Sequence, residues 1–398
     1  MPRFPGTSHT NATLSATVFS RFAQRLKDLR GVTTYPLHVG DTWREPLEAA
    51  RAEAQRTAET PHLHTYSPVQ GEPALVAAAV RKVKARTGVD LDPADVQVTV
   101  GATGGLSVVC QALLDPGDEV LLPAPFWPLI RGIIASRGAV PVQVPLMDRL
   151  AAGRDAVDVE AALEAAVTAR TVAIYVNSPH NPTGVVLDDA AAAAIARVAA
   201  RHDLWVLCDE VYEDLFHGAA APTPLWTRPD LRPRAIVVHS LSKAYGLAGA
   251  RVGYAHGPAE AMAAIRAVHT FQAYGTAKPM QLGAARALDD GAAWLAETRA
   301  AYRDAAAATA AAFGAPAPAG GTFLFADVRD LVGGDDATPL LLALLERGVI
   351  LTPGGACGDA YGGFVRVCYT SVHPGELASA LAIVREVVAD LRAGGPTA

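Results

Sequence analysis

Between residues 96 and 240 short apolar runs alternate with helix-like stretches, and few architectures accept that rhythm. Residues 96–100 (Val-Gln-Val-Thr-Val) alternate like a strand, and helical patterns at 106–114, 129–137 and 159–169 are interleaved with strand-like runs at 120–123, 140–146 and 171–176. An alanine-rich helix follows at 190–200, and further strand-like runs open at Trp205 and Ala235. Consecutive parallel strands need a crossover helix, so this order predicts an α/β fold with a mostly parallel central sheet and helices on both faces. Before it lie a loose N-terminal arm, a helical pattern at 18–29 and a short strand over 35–43 that runs into a glycine turn. After it an alanine-rich helical pattern over 284–313 leads to residues 316–321, a boundary rich in proline and glycine. The remainder reads strand (322–328), helix (339–347), strand (349–352), strand (364–370) and helix (374–391). The expected division is an arm and part of a small domain in 1–45, a large domain with its linker helix in 46–315, and a C-terminal small domain in 316–398.

Composition excludes several functions. With 51% hydrophobic and 19% charged residues over 398 positions the chain can bury a large core, and it is not a disordered protein. A net charge of -6 leaves no electrostatic footprint for nucleic acid or an anionic membrane. The start, Met-Pro-Arg-Phe-Pro-Gly, lacks the apolar core of a signal peptide, and no apolar run reaches the length of a membrane helix. Cys110, Cys208, Cys357 and Cys368 include no Cys-x-x-Cys pair, so buried reduced thiols in a cytoplasmic protein are expected, with no metal site.

The chemistry concentrates around Lys243, in Ser240-Leu-Ser-Lys-Ala-Tyr-Gly-Leu-Ala-Gly-Ala-Arg251. This stretch follows the apolar run 235–239, so Lys243 sits just past a strand end, where open α/β sheets place their ligands. A partly desolvated ammonium near other cations loses its proton easily and can form a Schiff base with an aldehyde. Ser240 and Arg251 supply a hydroxyl and a guanidinium suited to a phosphate. A second anion site is marked by Gly101-Ala-Thr-Gly-Gly105 between a strand and a helix, because free amide groups and the helix dipole point at a ligand there. The sequence is neither a Walker A loop nor Gly-x-Gly-x-x-Gly. Asp209 closes the strand-like run Trp205-Val-Leu-Cys-Asp, and a carboxylate at a buried strand end needs a cationic partner such as a pyridinium nitrogen. Read singly, each of these turns could serve backbone geometry alone; their order along one chain is more specific.

That order, with Asn181-Pro-Thr-Gly184 after the run 171–176 and Phe364-Val-Arg366-Val near the end, resembles the class I/II aminotransferases, fold-type I enzymes dependent on pyridoxal phosphate. The resemblance extends from about Gly40 to Arg366 and implies roles position by position. Lys243 is the Schiff-base lysine and general acid/base. Asp209 holds the ring nitrogen charged. Tyr212 and Asn181 bond the 3'-oxygen, and Trp127 stacks on the ring. Ala102, Thr103 and Gly104 form the phosphate cup with Ser240 and Arg251. Tyr66, in Tyr-Ser-Pro-Val-Gln-Gly71, reaches the phosphate of a partner subunit, so the resemblance implies a homodimer with shared sites; Tyr274 and Thr276 are further inter-subunit candidates. Arg366 grips the substrate α-carboxylate, assisted by Asn181, and Gly40 closes over it with His38 and Val39 alongside. The chain departs from the family at His38, at the Asp41-Thr-Trp43 run and at Cys357, where an aromatic is common; His180 is assigned a structural role and Phe126 the core.

The activity so implied is ping-pong transfer of an amino group between an L-amino acid and a 2-oxo acid. No second arginine or lysine is assignable to a dicarboxylate side chain, which favours a neutral or aromatic amino acid over aspartate. The same residues also serve lyases, cyclases and oxidases that use this cofactor. A cofactor-sensing transcription regulator is a further reading; it needs a DNA-binding domain, and the approximately 35 residues before Leu37 show no helix-turn-helix pattern. A non-catalytic dimer that keeps the cofactor for stability is the last.

Overall fold

The computed structural model describes residues 8–12, 14, 31–153 and 157–394. The helix expected at 18–29 lies outside the described residues.

Seven strands build the main sheet: β1 (Val96–Val100), β2 (Glu119–Ala124), β3 (Val140–Pro145), β4 (Thr171–Asn177), β5 (Trp205–Asp209), β6 (Ala235–Ser240) and β7 (Val252–His256). Their order is β1-β7-β6-β5-β4-β2-β3. The β3–β2–β4–β5–β6 ladder is parallel throughout. Strands β2 and β6 are buried along their whole length, as expected of runs covered by helices on both faces. Buried residues divide into two clusters, one on each side of the sheet: Val238 and Leu207 pack with Leu106, Val109 and Ile130 on one face, while Val206 and Val237 pack with Ala196, Val198 and Leu75 on the other.

The sequence reading missed β7. Val-Gly-Tyr-Ala-His was folded into the helical stretch beyond Arg251, but it pairs antiparallel with both β6 and β1 and inserts between them. A strand of this composition is stabilised by two non-local ladders that no local pattern reports. Three smaller differences have local causes. The helix expected to start at 106 starts at Gly101, because the glycine-rich segment is itself the first turn. The long linker pattern is two helices, Lys278–Asp290 and Ala292–Phe313, separated at Gly291. The strand expected at 349–352 reduces to β9 (Thr352–Pro353).

The smaller layer is the antiparallel sheet β8 (Phe323–Asp327), β10 (Phe364–Cys368) and β9 in the order β8-β10-β9, with the helix Pro374–Gly394 packed on the helix Ala292–Phe313. The N-terminal segment joins this layer: the Cys368 amide donates to the Leu37 carbonyl at 2.7 Å and the Trp43 amide to the Thr370 carbonyl at 2.8 Å. Residues 37–43 and 366–370 are thereby held beside one another, across from the C-terminal ends of β4, β5 and β6.

Candidate active site

A cavity of about 230 Å3 opens where those two layers meet, at the C-terminal ends of the parallel strands. It is lined by Gly40, Ala102, Thr103, Trp127, Asn181, Asp209, Tyr212, Ser240, Lys243, Arg251 and Arg366, so eleven residues singled out from the sequence converge on it. Leu106, Leu129, Asn177, Val211, Ser242 and Phe323 also line it, and the sequence reading gave none of them a role. A larger groove of about 660 Å3 between residues 148–152 and 313–319 contains none of the candidate residues.

The floor is built from three parallel strand ends. Asp209 is 4% exposed; its Oδ2 accepts from the Tyr175 hydroxyl at 2.6 Å and its Oδ1 from the Val211 amide at 3.2 Å. Burial pushes its carboxyl up to about 6, and these two donors together with His239 limit the rise. On the adjacent strand, Asn177 Nδ2 donates to the Asp209 carbonyl at 2.8 Å and Asn177 Oδ1 accepts from the Asn181 amide at 2.8 Å, fixing the Asn-Pro-Thr-Gly turn against β5. Asn181 Nδ2 then donates to the Tyr212 hydroxyl at 3.4 Å. Tyr175 was legible only as a strand residue; its role depends on side-by-side pairing of β4 with β5.

Lys243 Nζ donates to the Gly40 carbonyl, which ties the N-terminal loop to the end of β6. Burial lowers the pKa of this amine, and Arg251 and Arg366 push in the same direction against Cys368 and Asp41. Arg251 has φ +53 and its Nη1 donates to the Ala248 carbonyl at 2.8 Å. Its guanidinium covers Gly101, where a Cβ would lie 2.6 Å from Nη2 and where φ is +64. Only glycine permits both the backbone conformation and the close approach of that charge to the helix N-terminus. Arg366, 2% exposed, donates from Nη1 to Asn181 Oδ1 at 3.2 Å and from Nη2 to the His38 carbonyl and Thr352 Oγ1, each at 3.3 Å, with its guanidinium 4.4 Å from the Phe323 ring centroid.

Other candidates lie elsewhere. His38 meets Arg366 through its carbonyl and does not line the cavity, Val39 is 44% exposed, and Gly104 sits one residue beyond the lining positions. Tyr66, 84% exposed, packs on Tyr274 at 4.9 Å between ring centroids, beside a surface hollow that also includes Thr276. His180 is buried with Nδ1 2.7 Å from Thr183 Oγ1, inside the turn and away from the cavity. Phe126 and all four cysteines are buried, and the thiols are unbridged.

The arrangement offers a desolvated amine, a buried carboxylate with no salt-bridge partner among the described residues, and two arginines lining one cleft. Among the described residues no helix is long and apolar enough to cross a membrane, and no group of three or more His, Cys, Asp or Glu side chains could hold a metal ion. A family model for aminotransferases of class I and II matches residues 34–384. The probable N-succinyldiaminopimelate aminotransferase DapC of Mycobacterium tuberculosis is 39% identical over 319 residues, covering 78% of this chain and 79% of the relative. The arginine–pyruvate transaminase AruH of Pseudomonas aeruginosa is 32% identical over 309 residues, 76% and 77% of the two chains. A single mutant of Thermus thermophilus aspartate aminotransferase superposes with a TM-score of 0.88 at 28% identity, covering 96% of this chain and all of that one. With the family model spanning most of its length and its cleft built in that fold, the chain belongs to the class I and II aminotransferases, which depend on pyridoxal phosphate.

Proposed function

We propose that this aminotransferase takes a neutral or aromatic L-amino acid as donor and passes the amino group to a 2-oxo acid in a ping-pong cycle. One observation carries the substrate class: the basic side chains lining the cavity are Lys243, Arg251 and Arg366, and all three have tasks other than a second carboxylate. The uncharged walls include Leu106, Trp127, Leu129, Val211 and Phe323. The named relatives act on substrates as different as aspartate and arginine, so their names do not choose among donors.

The residues fit pyridoxal phosphate. Asp209, raised to about 6 by burial, matches a protonated ring nitrogen. Arg251, Ser240 and the first turn of the helix Gly101–Leu113, with Ala102 and Thr103, match a phosphate. Trp127, in the cavity wall, would flank the flat ring, and Tyr212 and Asn181, whose side chains meet there, would bond its 3'-oxygen. When bound, the group supplies an electron sink for cleavage at the substrate α-carbon. Arg366 orients the α-carboxylate, a task its planar fork performs better than a lysine would. Lys243 Nζ, whose burial favours the neutral amine, moves the α-proton. A second copy of the chain is the proposed partner, seated on the face where Tyr66, Tyr274 and Phe271 are 84%, 47% and 92% exposed.

The test is the visible spectrum of the purified, cofactor-loaded protein before and after single amino acids, repeated with Lys243→Ala. Neutral or aromatic amino acids should convert the spectrum to that of pyridoxamine phosphate in wild type, at least about a hundredfold more slowly in the variant. Conversion by aspartate or glutamate alone would refute the donor class. Turnover that leaves no pyridoxamine phosphate would point to a lyase, cyclase or oxidase, and inertness to a broad panel would point to a non-catalytic role.

A further inference from the structure

Tyr175 takes no part in the chemistry proposed above and does not line the cavity, yet it bonds directly to the site. Its side chain is buried, 2% exposed, and its hydroxyl donates to Asp209 Oδ2 at 2.6 Å. Among the described residues that carboxylate is the one hydrogen-bond partner of the hydroxyl.

The sheet explains the placement. Strands β4 and β5 run parallel with Tyr175 opposite Leu207 and Asn177 opposite Asp209, so alternation puts these four side chains on one face. Tyr175 and Asp209 are then diagonal neighbours, and a tyrosine is long enough to bring a hydroxyl across that span. The ring belongs to the same buried cluster as Leu106, Val109 and Leu207, so packing fixes the direction of the hydroxyl. We propose that Tyr175 is a positioning residue for the reaction: its hydroxyl clamps Asp209 Oδ2, so that the carboxylate at the end of β5 is held ionised and in one direction in the cofactor-free site.

The geometry supports this. A separation of 2.6 Å is that of a hydroxyl donating to an ionised oxygen. The Val211 amide donates to the other oxygen, Oδ1, at 3.2 Å, so two donors from different segments fix the plane of the carboxylate. An ionised carboxylate has about four acceptor sites, and two donors leave the others for a cation. Burial and the Asp209 charge push the Tyr175 phenol well above its ordinary value, so it remains a neutral donor.

The other ionisable groups around this pair are Cys208, Glu210 and Tyr212 on β5 and the turn after it, Cys110 on the helix Gly101–Leu113, His239 on β6, and Lys243, Arg251 and Arg366 around the cavity. Tyr175→Phe keeps the ring and leaves all of them in place, so a difference between its profile and that of wild type reports the hydroxyl.

The inference rests on reading Asp209 as the partner of the cofactor's ring nitrogen, and the experiment separates the two claims. The apoprotein is titrated with pyridoxal phosphate between pH 5 and 9, for wild type, Tyr175→Phe and Asp209→Asn. Each affinity is divided by that of Asp209→Asn at the same pH, which removes the titrations of Lys243 and of the cofactor itself. The wild-type ratio should fall below about pH 6, where apo Asp209 takes up a proton. In Tyr175→Phe the ionised form loses a charge-assisted bond, so the break should move up by about one pH unit. That is an approximately fivefold loss of affinity at pH 6 that vanishes by pH 9. A Tyr175→Phe profile that coincides with wild type, or is displaced equally at every pH, overturns the role of Tyr175 and leaves Asp209 in place. A wild-type ratio that does not change with pH overturns the reading of Asp209 and this inference with it. Tyr175→Met serves by the same criteria if the phenylalanine variant does not fold.

Discussion

Replacing Lys82 with methionine removes an ammonium that lies 2.6 Å from Glu213 Oε1 and 2.5 Å from Asp214 Oδ2, while keeping most of the aliphatic stem. Lys82, Glu213 and Asp214 have side chains 12%, 8% and 9% exposed, so water cannot readily take over the lost interactions. Two carboxylates would then share a dry site, with His239 Nδ1, 2.8 Å from Oε1, as the remaining side-chain contact of Glu213. Breaking a buried pair in this way costs about 3–5 kcal/mol, because one charge is left uncompensated. Methionine nearly conserves volume, so a cavity contributes little to the loss. The pH dependence follows from the sign of the shift. In wild type Glu213 is held below its unfolded value, so its stabilisation is present at neutral pH and persists until the pH falls below about 4.3. In Lys82→Met the orphaned carboxylates are raised instead, so they destabilise the fold at pH 7 and are relieved by protonation as the pH falls toward 4.5. Urea unfolding followed by tryptophan fluorescence should therefore show a gap of about 3–5 kcal/mol at pH 7 that narrows at pH 4.5, and Lys82→Met/Glu213→Gln should recover more than about 1 kcal/mol of it. A gap below about 1 kcal/mol at pH 7, or one that does not change with pH, would refute the reasoning.

Two other substitutions probe separate links. Arg366→Lys loses the bonds that Nη1 and Nη2 make to Asn181, His38 and Thr352, so steady-state kinetics should show the KM for the amino acid rising about 10–100-fold with a smaller effect on kcat; an unchanged KM would remove Arg366 from carboxylate binding. Gly184→Ala introduces a Cβ 2.2 Å from Pro318 Cβ at a residue with φ +71, which should cost at least about 2 kcal/mol and lower the thermal midpoint. A midpoint equal to wild type would mean that this contact between the turn after β4 and the segment before β8 is not rigid.

The site was legible in the sequence where one local element supplies both a residue and its direction. Lys243 and Asp209 each end or follow a buried apolar run, so the strand end that places them can be read beside them. The glycine-rich turn at Gly101 is similar: strand, glycine and helix are contiguous, and only the starting point of the helix was misjudged. The reading failed where the placing element is distant. Tyr175 meets Asp209 across two strands, Phe323 reaches Arg366 from a different part of the small layer, and Lys82 lies 131 positions from Glu213. None of these partners carries a local signal, because a strand tyrosine or a helical lysine looks the same whether or not an ionised group faces it.

By itself the sequence determined the class of fold, the alternation of strands with crossover helices and the residue types at the ends of those strands, because periodicity and turn chemistry act over a few residues. Tertiary structure alone decided that β7 enters the sheet antiparallel between β6 and β1, that Lys243 Nζ meets the Gly40 carbonyl, and that Lys82 is buried against Glu213 and Asp214. Those outcomes depend on burial and on contacts between segments far apart in the chain. The free energy of a buried charge or an unpaired strand edge is set by what packs against it, and that is defined only once the chain has folded.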